Sequence, residues 1–321
     1  MKSIKSILKK IKGDASFRSF YRKINSKKNS IIVHATKEKK NNLLIYAAIN
    51  SLLIENKILA PKLYKENYKK NFIEIEDFGD DTIFKLLRKS GSNKINLYKE
   101  SIDLLSKIQK IKQNKIQNFK GEIYKIPIYD NNKLFKEAKL FSDWYTQKYI
   151  SKKKLQTLNI EINKKIKILL SNLKLKNDTL VHRDFHVSNL MKYKKRLAII
   201  DTQDALIGNK AYDLASLIDD VRFKSSQKLK DNIYNYYLKL NEKKIDKVIL
   251  LNDFEILSVI RNMKIIGIFA RLSVRDKKKS YLKLIPHAWK LIEIRMQNNH
   301  IFDDLKRLLD INFSKKIRNL K

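Results

Sequence analysis

The 321-residue sequence contains no cysteine, only three prolines and only six glycines. Without cysteine there is no disulfide framework, no thiolate nucleophile and no thiolate metal site. So little proline and glycine excludes a collagen-like chain, and no Gly-, Pro- or Ser-rich stretch marks a flexible linker. Acidic residues are also scarce: 33 Asp and Glu stand against 71 Lys and Arg, a formal charge of +38. No window reaches the roughly 18 uncharged apolar residues that a membrane span needs. The basic start "MKSIKSILKKIKGD" lacks the apolar run and small-residue cleavage site of a signal peptide. A cytoplasmic protein with no membrane partner is the expectation.

What is present is a globular composition, 43% hydrophobic and 32% charged. It is long enough for one large domain or two lobes with cores of their own. Positive charge on this scale can be the footprint of a nucleic-acid or anionic-membrane binder. Here, however, Lys outnumbers Arg several-fold, Ile and Asn are abundant, and the charge is spread along the chain without a dominant block. The charge therefore reads as compositional bias, and no nucleic-acid partner is expected. A field of this sign still favours anionic ligands such as nucleotides, less so in salt.

The pattern along the chain changes near residue 80. "FRSFYRKI" (17–24) and "SIIVHAT" (30–36) carry the β-branched and aromatic residues of strands, with a polar turn between them. "NNLLIYAAINSLLIEN" (41–56) has an Asn start and apolar residues at helical spacing. "APKLYKE" and "NFIEIEDFGDD" give two further short strands. Beyond them, "NKINLYKESIDLLSKIQKI", "NKLFKEAKLFSDWYTQKYI" and a stretch around 161–175 read as helices, and everything after Lys210 is helical. The expectation is an α+β, bilobal fold. Residues 1–80 form a small β-rich N-lobe, with a hinge near 76–80. Residues 81–321 form a larger helical C-lobe.

The chemistry concentrates in "LVHRDFHVSNLM" (180–191) and "RLAIIDTQD" (196–204). Phosphoryl transfer needs a carboxylate to orient the acceptor hydroxyl, hard oxygen ligands for Mg²⁺, and a surface that holds the nucleotide. Asp184 and Asn189 share one loop, and Asp201 follows directly after four apolar residues, seventeen positions past Asp184. A loop, a strand, a turn and a strand fill that interval and bring both prospective metal ligands to one cleft. Taken singly, each is an ordinary turn or cap residue. His186 is expected to brace the loop. Asp213, opening "YDLASLIDD", is expected to cap its helix or to reach the backbone of the catalytic loop.

These stretches resemble the aminoglycoside phosphotransferase superfamily of small-molecule kinases. Within it, "GDASFRSFYR" (13–22), "IEIEDFGDDT" (73–82), "IPIYDNNKLFKEAKLFSDWY" (126–145) and "IIGIFARLSVRDKKKSY" (265–281) look like the cell-wall amino-sugar kinases. Those enzymes phosphorylate the anomeric hydroxyl of N-acetylmuramate and N-acetylglucosamine with ATP and Mg²⁺. The resemblance runs in order from about residue 13 to 290. It implies a protein-kinase-like fold in which residues 1–80 cover a nucleotide and residues 81–321 carry the catalytic loop and acceptor site. It also implies Asp184 as the catalytic base and Asn189 and Asp201 as the metal ligands. Gly13, Ala15 and Ser16 would form the turn over the phosphates. Glu76, Asp77 and Phe78 would be the linker whose backbone meets the adenine edge, and Arg183 and Asp204 would face the sugar. Two positions depart from the pattern. "SIIVHATKEKK" has His34 or Ala35 where a kinase strand carries its phosphate-pairing Lys, with Lys37, Lys39 and Lys40 as weak substitutes. Thr202 stands where the branch has an aromatic. Two alternatives remain: another hydroxyl acceptor, such as an aminoglycoside or choline, and a basic nucleic-acid-binding protein on a kinase-like scaffold.

Overall fold

The computed structural model describes residues 7–11, 18–25, 28–36, 41–242, 245–297 and 299–320. In chain order, the first elements are β1 (Ile7–Ile11), β2 (Ser19–Ile24), β3 (Ser30–His34), α1 (Asn42–Glu55), β4 (Leu63–Asn67) and β5 (Phe72–Glu76). After them come α2 (Ile83–Leu87), α3 (Lys94–Ile108), β6 (Lys115–Gln117), β7 (Ile123–Lys125) and α4 (Asn131–Ala138). A π-helical turn at Phe141–Tyr145 leads to α5 (Thr146–Tyr149), α6 (Lys152–Ser171) and β8 (Asn177–Val181). Then β9 (Leu190–Tyr193), β10 (Arg196–Ile199) and β11 (Leu206–Asn209) complete the strands. The remainder is helical: α7 (Ala211–Ile218), α8 (Gln227–Asn241), α9 (Lys247–Val274), α10 (Ile285–Met296), α11 (Asp303–Asn312) and α12 (Lys315–Arg318), with short 3₁₀ turns between some of them.

By contacts the chain divides into two compact units, residues 1–127 with 182–206, and residues 128–181 with 207–321. The expected division at residue 80 follows the change of sequence pattern, this one follows packing.

The first unit is built on a five-stranded antiparallel sheet in the order β1-β2-β3-β5-β4. Alternation on β3 and β5 puts Val33, Ile73 and Ile75 on one face, where they pack with Ala35 and with Leu43 and Tyr46 of α1. Asn41 starts α1 as the sequence suggests, but in a left-handed conformation and without a side-chain cap. Strand β1 is absent from the sequence-based expectation. It lies at the sheet edge with Ile7 and Leu8 exposed, so no burial on either face imposes the alternation that marks a strand. The β9–β10 hairpin belongs to the same unit. It is joined to the segment after β5 by an antiparallel bridge from Thr82 to Met191 and to the start of the sheet's last crossing by a bridge from Leu59 to Ala198.

The second unit is helical apart from the β8–β11 pair. Its centre is α9, whose buried face includes Phe254, Leu257, Ile260, Met263 and Ile266. Gly267 marks a close approach: a Cβ there would lie 2.2 Å from the Leu140 carbonyl carbon, at the entrance to the π-helical turn. That turn breaks what the sequence presents as one helix over 132–150. Helix α6 begins at Lys152, nine residues before the expected start, because its first turns, rich in lysine, face solvent and carry little apolar signal. Asp253, fully buried on α9, accepts from the backbone N–H groups of Lys174 (2.9 Å) and Leu175 (2.8 Å) and from Asn209 Nδ2 (2.6 Å), so the ends of both strands are tied to one carboxylate. Among the described residues no helix is long and apolar enough to cross a membrane.

Candidate active site

The three oxygen donors singled out by spacing all fall in the first unit. The loop after β8 folds on itself through its backbone: His186 N–H donates to Asp184 O (2.9 Å), Asn189 N–H to His186 O (2.9 Å), and Asn189 Nδ2 to Asp184 O (3.0 Å). The hairpin β9–β10 then returns the chain, and Ile200 N–H donates to Asn189 O at 3.1 Å. Asp201, the next residue, is thereby brought beside the loop that carries Asp184 and Asn189. The buried ring of His182 closes the arrangement, with Nε2 3.0 Å from Ile200 O. The interval is the loop, strand, turn and strand expected from the sequence. His186 is buried and its backbone braces the loop, as expected.

Two residues of this assembly lie in the left-handed region, Arg183 at φ 74° and Asp201 at φ 66°. Neither is glycine, and each such residue costs about 1–3 kcal/mol that the surrounding bonds must hold in place. Arg183 Nη1 donates to Asp204 O at 3.1 Å, with Asp204 Oδ1 at 3.9 Å, so the two residues expected on the acceptor side are neighbours. Burial, with the Asp204 carboxylate adding to it, pushes the Tyr124 phenol up, which places a neutral phenol in the same field.

Asp201 is the best-connected group. Its Oδ1 accepts from Arg18 Nη2 at 2.8 Å and from Gln203 Nε2 at 3.2 Å, and Gln203 Nε2 also reaches Asp204 Oδ2 at 2.8 Å. Both bonds fall on Oδ1, so Oδ2 is the oxygen left over among the described residues. The side chain is 40% exposed. Asn189 spends its amide N–H on Asp184 O, which leaves its amide oxygen as a ligand atom. One open carboxylate oxygen and one amide oxygen suit a divalent cation of the Mg²⁺ type, which keeps waters and phosphates for its other positions. Among the described residues there is no group of three His, Asp or Glu that would hold a metal alone.

Of these residues Asn189 and Asp201 border a cleft of about 440 Å³, and Asp184, Arg183 and Asp204 are not part of its lining. Ile31, Ile75, Met191 and Ile200 give it apolar walls, and Asn189 and Asp201 line its polar end. Glu76, Asp77 and Phe78 line it too. Their side chains, however, are engaged elsewhere. Phe78 is buried against Met191, Ala198 and the Tyr193 ring, whose centroid is 4.9 Å away. Asp77 accepts from Arg22 Nε (2.6 Å) and Nη2 (3.1 Å) and from Gly79 N–H (2.8 Å). Arg22 continues to Asp80 Oδ2 (2.9 Å) and Gly79 O (3.0 Å). Gly79 sits at φ 80°, a conformation that glycine adopts without strain. Hydrogen bonding to Arg22 holds the Asp80 carboxyl below its ordinary value. In this segment, then, the backbone is what remains to meet a ligand edge.

Gly13, Ala15 and Ser16, the expected phosphate turn, lie outside the described residues, as do Lys37, Lys39 and Lys40. His34 is at the end of β3 and Ala35 is fully buried, so neither presents a cation to the cleft. Thr202, in place of an aromatic, is also fully buried, and its Oγ1 donates to Asn50 Oδ1 of α1 at 2.6 Å. The sequence reading did not single out Arg18, Arg22 or Gln203. Arg18 and Arg22 lie within the "GDASFRSFYR" stretch, but their partners are 183 and 55 residues away, beyond the reach of any local pattern.

Comparison with known proteins bears on the family and the fold. The profile of the phosphotransferase enzyme family (APH) matches residues 7–247. A protein of Pseudomonas putida KT2440 named N-acetylmuramate/N-acetylglucosamine kinase is 25% identical over 87% of this chain and 80% of its own. One of the same name from Neisseria meningitidis serogroup B MC58 is 27% identical over 85% of this chain and 80% of its own. Among solved structures, the aminoglycoside phosphotransferase APH(2'')-Ib with ADP bound superposes with a TM-score of 0.61 at 14% identity, covering 90% of this chain and 93% of that one. That likeness establishes the protein-kinase-like fold expected from the sequence.

Proposed function

The chain belongs to the phosphotransferase enzyme family, and from that premise we propose that it is an ATP-dependent kinase of N-acetylated amino sugars. It transfers the terminal phosphoryl group to the anomeric hydroxyl of N-acetylmuramate or N-acetylglucosamine and releases the sugar 1-phosphate and ADP. The observation that carries the chemistry is the bond from Ile200 N–H to Asn189 O, which sets Asp201 beside the loop of Asp184. The substrate class rests on the two relatives and on the order of shared stretches along the chain.

In this reading residues 76–80 are the linker between a nucleotide-covering part, residues 1–80, and the remainder of the chain. The adenine lies between the apolar walls and meets the backbone of Glu76–Phe78. Gly13, Ala15 and Ser16 cover the phosphates. Asn189 and Asp201 would hold Mg²⁺, which supplies neutralisation of the phosphate charge when bound. Asp184 accepts the proton of the anomeric hydroxyl as its oxygen attacks phosphorus. That hydroxyl is more acidic than an ordinary alcohol, so a carboxylate base suffices. Arg183 and Asp204 orient the sugar.

Phosphate transfer from Mg-ATP to N-acetylmuramate, N-acetylglucosamine, kanamycin and choline, each beside a no-acceptor control, tests the proposal. Product is expected with an amino sugar only, with its phosphate on C1. Transfer to kanamycin or choline alone would replace the acceptor, and binding of nucleic acid without turnover of ATP would overturn the enzyme itself.

A further inference from the structure

Strand β3 brings no lysine to the cleft: Ile31 lines the wall, and Val33 and Ala35 are sealed in the core. A triphosphate nevertheless needs a fixed cation beside the metal, because developing charge on the transferred group has to be balanced within the site. Of the cations that line the cleft, Lys85 is exposed on α2, and Arg22 is committed to Asp77 and Asp80.

Arg18 is different. Its residue is 7% exposed, and its Nη2 lies 2.8 Å from Oδ1 of Asp201, one of the two expected metal ligands. Its Nη1 donates to Gln203 Oε1 at 2.6 Å. The guanidinium carbon stands 5.6 Å from the Phe20 ring and 5.8 Å from the Tyr46 ring, so two aromatic groups position the cation. Arg18 is also only two residues beyond Ser16, at the foot of β2. From the positions alone, it is the cation that follows the expected phosphate turn.

Resting on the nucleotide site of the proposed kinase, we propose that Arg18 is the phosphate-pairing cation that β3 lacks, and that its bond to Asp201 is the resting position of that cation. A planar guanidinium fits a carboxylate or a phosphate equally well. With a metal ion on Asp201, that carboxylate's charge is shared, and the phosphates become the stronger partner. A single residue thereby serves the empty site as counter-ion to a strained aspartate and the loaded site as counter-ion to the nucleotide.

The test is nucleotide affinity in Mg²⁺ without acceptor, the condition under which Arg18 is expected to leave Asp201 for the phosphates. ATP, ADP and adenosine are titrated into wild type, Arg18→Met and Arg18→Lys, with thermal melts to verify folding. Wild type is expected to bind ATP and ADP more tightly than adenosine. Arg18→Met should lose at least tenfold for ATP and leave adenosine within twofold, and Arg18→Lys should lose less. Should Arg18→Met fail to fold, Arg18→Gln, which removes the charge and keeps hydrogen-bonding capacity, carries the same expectation. Unchanged ATP affinity in the uncharged variants would overturn the proposal, as would an equal loss for adenosine, which would make Arg18 part of the packing of the cleft. Wild type that binds ATP only as well as adenosine overturns it too, with the kinase reading intact. Wild type that binds no nucleotide, with or without Mg²⁺, removes the kinase reading as well.

Discussion

Asp201 and Asp219 each accept from an arginine at 2.8 Å, and they differ in nearly everything else. Asp219, in the helical unit, is 1% exposed and has both oxygens in use. Arg295 binds both, Lys230 Nζ donates to Oδ1 at 2.5 Å, and Ser258 Oγ donates to Oδ2 at 2.6 Å. Burial would push its carboxyl up, but the Lys230 ammonium and the Arg295 guanidinium outweigh burial and hold it well below the usual carboxylate range. Asp201 uses one oxygen, opens the other, reaches solvent and sits in a left-handed backbone. A satisfied aspartate holds a fold together; an aspartate with a left-handed backbone and, among the described residues, an open oxygen is the one proposed to meet a metal ion. The chemical kit is the same, and the difference is in how much of it is consumed.

Substitutions should separate the two. Asp184→Asn and Asp201→Asn are expected to keep a native circular-dichroism spectrum and lose roughly 10²–10⁴ in turnover. Near-wild-type rates in folded variants would remove these residues from the mechanism. Asp219→Ala strands two buried cations and should cost about 3–5 kcal/mol in urea unfolding at neutral pH. A cost below about 1 kcal/mol would refute that account of the cluster. The pH dependence follows from the same group. The Asp219 carboxyl is depressed in the folded state, so its stabilisation is full above the unfolded value near 3.9 and is lost as pH falls below it toward the folded value. The stability gap between wild type and Asp219→Asn should therefore narrow below about pH 4, and a gap that widened there would reverse the sign. The smallest effect is expected at Thr202→Val, which leaves Asn50 Oδ1 without its donor inside the core and should cost about 1–3 kcal/mol in the melt.

Much of this site is legible in the sequence because its residues are local. Asp184, Asn189 and Asp201 fall within eighteen consecutive residues, and the apolar runs on either side of them require strands. The N-terminal sheet is legible at β3 and β5, where one buried face enforces alternation, and illegible at β1, where none does. The side chains of Asp77 and Phe78 are examples of the other limit. The resemblance singles out the segment, but only long-range packing decides that Phe78 turns into the core and that Asp77 is consumed by a strand residue. Arg18 escapes for the same reason: nothing within ten residues of it announces Asp201 as its partner.

The bond between Arg22 and Asp77 reaches across 55 residues, with the Asp77 side chain 5% exposed and that of Arg22 17%. Losing Arg22 would leave the nearly buried Asp77 carboxylate with the Gly79 N–H alone among the described residues. Arg22 without Asp77 keeps Asp80 and Gly79 O, so it is the aspartate that depends on the arginine. In a lineage that has abandoned the arginine, the aspartate should have gone with it, and pairs of columns that change together would mark this contact without any coordinates at all.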